Sequence, residues 1–135
     1  MPDRAWTRLR TAGALYAVGT TLHTIDHFRR GDGSVSWEVV EVGTVGTIAA
    51  AVVLTLIFTG HRFAPEAGAA VGFLHGAGIA AVHWLPRWSV LSDSFLTDAA
   101  APVSWLAVAL EVGGAFAVGI ASVAVLTRRT EVARA

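Results

Sequence analysis

Eight side chains able to bind metals or move protons, His23, Asp26, His27, Glu38, Glu41, His75, His83 and Glu111, fall within or beside stretches that are otherwise apolar. An ionised side chain in the middle of a bilayer costs on the order of 3 kcal/mol on insertion scales, so each is a candidate functional residue. His23 and His27 are four residues apart and Asp26 is three from His23, which groups them on one face of a helix. Glu38 and Glu41 repeat that logic at a spacing of three. Imidazoles and carboxylates are ligands for zinc, iron and manganese, and helical bundles use both types to hold metal pairs. The expected ligands are His23, His27, Glu41, His75, His83 and Glu111. Asp26 and Glu38 are expected to orient imidazoles or to act as catalytic bases.

Composition removes most other chemistry. The chain has no Cys, which excludes disulfides, iron-sulfur clusters, thiolate zinc sites and covalently attached haem. Its only Met is Met1, which leaves no thioether copper site, and the absence of Lys leaves no Schiff base. Net charge is zero and no basic block marks a nucleic-acid surface, so no nucleic-acid partner is expected. The segment His23-Thr24-Ile25-Asp26-His27 resembles the H-x-x-E-H pattern of inverzincin metalloproteases over those five residues. It departs where Asp replaces the catalytic Glu, because the shorter side chain holds its oxygens farther from a metal.

The elements that must position these residues are apolar. Hydrophobic residues make up 54% of the 135, and a mean hydropathy of +0.59 is high for a water-soluble domain of this size. Four runs, at about 8 to 28, 37 to 59, 66 to 85 and 103 to 127, each approach the ~20 residues a membrane-spanning helix needs. Gly31-Asp32-Gly33-Ser34, Gly60 with Pro65, Pro86 and Pro102 separate them. The expected fold is all-α: a single domain over residues 1–135, built as an integral membrane four-helix antiparallel bundle. Trp88, Leu91, Phe95 and Leu96 stand at helical spacing beside Ser92, Asp93, Ser94 and Asp98, which predicts a short interfacial helix between spans three and four; a loop fits the same residues.

Arg4, Arg8, Arg10, Arg62, Arg128, Arg129 and Arg134 gather on one side, against Arg29, Arg30 and Arg87 on the other. The positive-inside rule then gives a multi-pass protein of the cell membrane with both termini cytoplasmic, and Trp37, Trp84, Trp88 and Trp105 mark the outer boundary. Gly68, Gly72 and Gly76, and separately Gly113, Ala117 and Ala121, form small-residue seams that suit close helix packing within the chain or a homodimer between copies.

At a rise of ~1.5 Å per residue, all eight ionisable residues land in the outer half of the bundle, with His75 and Glu111 deepest at roughly 15 and 12 Å. This convergence predicts a metalloprotein, and an enzyme acting on a lipophilic small-molecule substrate. Zinc implies a hydrolase using activated water; iron, singly or as a dinuclear site, implies an oxidoreductase. Two alternatives stay open: a b-type haem electron carrier with axial histidines from spans one and three, and a small proton-coupled transporter using Glu41 or Glu111. Individual residues also have structural explanations. Glu38 complements a helix dipole, Asp26 pairs with Arg29 or Arg30, and His75 hydrogen-bonds Glu111.

Overall fold

A computed structural model describes residues 4–31 and 33–134, so Asp32 of the first predicted turn lies outside the described residues. Four helices account for most of them: α1 (Arg4–Arg30), α2 (Trp37–Thr59), α3 (Ala64–Trp84) and α4 (Pro102–Arg134). No strand occurs among the described residues. Local chemistry sets the boundaries. Ser36 caps α2 by accepting a hydrogen bond from the Val39 N–H at 3.3 Å. Gly60, at φ 70°, ends it in the left-handed conformation that favours glycine. Pro65 sits in the first turn of α3, where its missing N–H costs nothing.

Two helices, α2 and α4, are long and apolar enough to cross a membrane. α1 and α3 fall short of that standard, because α1 carries His23, Asp26 and His27 and α3 is diluted by His75, His83 and glycines. The four pack as a ring in the order α1, α4, α3, α2, so α1 and α3 face each other across the diagonal. Close backbone approach holds α4 to both partners. A Cβ on Gly19 would sit 2.5 Å from the Cα of Glu111, and one on Gly72 would sit 2.6 Å from the Ala115 carbonyl oxygen. Only glycine permits those distances.

The seam formed by Gly68, Gly72 and Gly76 is therefore occupied by α4 of the same chain. The matching face of α4 is Ala115, Val118, Gly119 and Ser122, not the predicted Gly113, Ala117 and Ala121. Gly113 faces open space, and Ala117 and Ala121 are half-buried at the edge of the core. One core cluster, around Leu9, Tyr16, Val53, Ile57, Val118 and Val125, fills the end nearer the termini. A smaller one, Ile79, Phe95, Val108 and Val112, lies towards the other end.

The interfacial helix does not form. Residues 85–101 make turns, and the reason is competition for backbone partners. The N–H of Asp93 bonds the Val82 carbonyl at 3.1 Å and that of Phe95 bonds the His83 carbonyl at 2.9 Å. These bonds satisfy carbonyls at the end of α3 that have no helical partner. The Ser92 hydroxyl accepts from the N–H groups of Trp88 and Ser89 at 3.0 and 3.2 Å, as serine does in turns. Ser92, Asp93, Ser94 and Phe95 are consequently buried, and the segment folds back over the end of the bundle.

Candidate metal centre

α1 projects His23 and His27 from successive turns of one face, and α3 brings His83 from across the ring. Each offers a ring nitrogen, and the three nitrogens lie within 4.8 Å of one another. The His23 ring centroid is 4.6 Å from that of His27 and 4.8 Å from that of His83. His23 and His83 are buried and His27 is half-buried.

Hydrogen bonds at Nδ1 decide which nitrogens carry lone pairs. His23 Nδ1 bonds the Glu111 carboxylate. His83 Nδ1 donates to the Asp93 carbonyl oxygen at 3.0 Å. Both partners are acceptors, so Nδ1 carries the proton and Nε2 is left bare. His23 Nε2 is buried and has no hydrogen-bond partner. His27 is wired the opposite way: Arg30 donates to its Nδ1 at 3.0 Å, which places the proton of the neutral ring on Nε2.

Glu111 is thus placed behind His23, as the carboxylate that orients an imidazole. Expected as a ligand, Glu111 lies against His23 Nδ1 and outside the group of three ring nitrogens, where the close backbone approach of α1 and α4 at Gly19 places it. His75 stands two turns from His83 on α3, roughly 12 Å along the axis, so one ion does not take both. It pairs with the Tyr16 hydroxyl through Nδ1 and packs its Nε2 against Gly46 of α2. The alternative considered for His75, a hydrogen bond to Glu111, is not the one it makes; its Nδ1 pairs with Tyr16.

Glu38 and Glu41 are exposed on α2, outside the cluster. α2 turns its buried side, Val39, Ala50, Val53 and Ile57, inward and these carboxylates outward. Asp26 is buried, but Arg29 Nε bonds its Oδ1 at 2.8 Å and Arg30 Nε stands 3.4 Å from its Oδ2. Arg29 thus holds Oδ1, whereas Oδ2 is buried without a hydrogen-bond partner and is approached only by the charge of Arg30.

Tyr16, Arg30 and Asp93 belong to the surroundings of the site, and none of them stands among the candidate site residues read from the sequence. Arg30 forms two hydrogen bonds with the buried Asp93 carboxylate, at 3.1 and 2.7 Å. Their opposite charges at the same predicted boundary were a usable signal. So was the placement of Tyr16, the only tyrosine, seven residues before His23 and hence on the same helix face. Compared with known proteins, the chain matches no family model, no curated protein and no solved structure.

Proposed function

We propose that the chain is a membrane metalloprotein in which His23, His27 and His83 bind one divalent transition metal near the outer face of a membrane-spanning four-helix bundle. The observation that carries this reading is the grouping of one ring nitrogen from each of His23, His27 and His83 within 4.8 Å, with His23 Nε2 buried and without a hydrogen-bond partner. Leaving such a group unpaired costs about 1–3 kcal/mol, and ligation removes that cost. Glu111 behind His23 and the Asp93 carbonyl behind His83 match the outer hydrogen bonds that fix metal-binding histidines. His27 joins the set through Nδ1 when the metal replaces the single Arg30 hydrogen bond there, while Arg30 keeps its two hydrogen bonds to Asp93.

Three neutral nitrogen ligands suit zinc with a fourth position left for water, and a metal there lowers the pKa of such a water to about 7. We read the activity as metal-assisted hydrolysis of a lipophilic substrate. A dinuclear site needs bridging carboxylates, and Glu38, Glu41 and Asp26 are turned elsewhere. A b-type haem needs room for a porphyrin between opposed imidazoles, whereas these rings pack against one another.

Membrane placement is supported by the outward-facing Val42, Val45, Ile48 and Val52 of α2 and Leu106, Ile120 and Val123 of α4, all exposed. An apolar surface of that extent suits lipid better than water. Elemental analysis of detergent-purified protein is expected to give close to one metal per chain, falling sharply in His23→Ala and in His83→Ala. Full metal retention in both variants would overturn the assignment.

A further inference from the structure

Asp93 does more than close a turn. Although the segment that carries it has no regular structure, the residue is 4% exposed, and a buried carboxylate is costly unless paired. Its N–H bonds the end of α3, its carbonyl accepts from His83 Nδ1, and its carboxylate is held by Arg30 while lying 3.4 Å from His83 Nδ1. Phe95, two residues on, packs its ring 4.6 Å from that of His83, and the Arg30 guanidinium lies 5.5 Å from the Phe95 centroid. One short segment therefore packs against His83 and also supplies the acceptor that orients its imidazole.

The surroundings restrict how an ion would reach the histidines. Deeper in the bundle lie the apolar Ile79, Val108 and Val112, and the polar groups there, Glu111 and the Tyr16–His75 pair, are buried or part-buried and already hydrogen-bonded. Polar groups at this end of the bundle include Asp26, Arg29, Arg30, Asp93 and Ser104. Arg30 is shared among Asp93, Asp26 and His27, so it joins the segment of Asp93 to the helix that carries two of the ligands.

On the premise that the histidine cluster holds a metal, we propose that Asp93 is a positioning residue of that site and that its ion pair with Arg30 is a latch setting the rate of metal exchange. With the pair intact, residues 92–95 stay seated, His83 keeps its orientation and a chelator has no route in. Breaking the pair frees the segment and opens the polar end without removing a ligand.

The test uses cobalt(II)-loaded full-length protein in detergent and follows loss of the cobalt absorption after addition of EDTA. Asp93→Asn keeps the backbone carbonyl that His83 uses, and Arg30→Gln breaks the latch from the other side; each is expected to release cobalt at least tenfold faster than the native chain. Band positions should stay unchanged, because all three histidines remain. Arg87→Gln removes the exposed pair with Asp98 in the same segment and should stay within twofold of native. The exchanged pair Arg30→Asp with Asp93→Arg should restore slow release, an outcome that general loosening of the fold does not give. Native release rates in both single variants overturn the latch and leave the metal assignment standing. A native protein that takes up no cobalt overturns both.

Discussion

His23, His27 and His83 are the same residue type held within a few ångströms, yet their Nδ1 atoms meet a carboxylate, a guanidinium and a carbonyl. In the proposed metal site those partners would give them different parts. Glu111→Gln keeps an oxygen that accepts from His23 but loses the charge that makes its imidazole a stronger donor to metal. Metal affinity is expected to fall by about 10- to 100-fold while helicity is retained, as for other outer carboxylates, and competitive chelator titration measures it. Glu41→Gln should leave affinity unchanged, since that side chain is exposed on α2. Tyr16→Phe removes the partner of His75 and should cost about 1–3 kcal/mol in stability without lowering metal content, because His75 lies two turns from the cluster. The three histidines were legible in the sequence because imidazoles in apolar helices are rare and two of them share a face. Which carboxylates accompany them was not. Glu38 and Glu41 sit at the right depth, but depth says nothing about the direction a helix turns them.

The helices themselves were easy to find, since long apolar runs broken by Gly and Pro have few other solutions. Their seams were only half legible. Small residues at intervals of four mark α3 correctly, but α4 carries glycine or alanine on several faces, and sequence alone does not choose among them. The structure makes the choice testable. Gly72→Val would drive a side chain into the Ala115 carbonyl, a backbone group unable to move aside, and should destabilise the protein by at least about 1–3 kcal/mol. Gly78→Ala points into open space and should be neutral or stabilising by up to about 1 kcal/mol. Thermal midpoints in one detergent compare the two, and equal midpoints would refute the packing assigned to Gly72. For the segment at 85–101 the sequence allows both a helix and a loop, and the loop forms for a different reason. Its apolar residues do recur at helical spacing, but Ser92 and the unpaired carbonyls of α3 capture its N–H groups first, and its polar residues then turn inward.

At the scale of the whole molecule, the ring places the histidine cluster at one end and the arginine-rich termini at the other. α4 runs 33 residues, about 50 Å, which exceeds the ~30 Å hydrocarbon core of a bilayer. In the proposed membrane placement its last turns, with Arg128, Arg129 and Arg134, would extend beyond the apolar layer into the headgroup region and water. Arg129 donates to the Arg62 carbonyl at 2.9 Å, so the α2–α3 turn lies at that same end. Ser34, between α1 and α2, lies at the opposite end with the cluster. If the basic end is cytoplasmic, a substrate or metal reaching the histidines comes from outside the cell or from the outer leaflet. The native chain has no cysteine, so Ser34→Cys and Thr130→Cys each give a single reactive thiol. A membrane-impermeant maleimide added to intact cells should label the first variant at once and the second only after permeabilisation. Labelling of Thr130→Cys alone would turn the molecule over and place the site in the cytoplasm. Labelling of both in intact cells would mean that the chain does not separate its ends across a membrane, and the apolar faces of α2 and α4 would then require a protein partner in place of lipid.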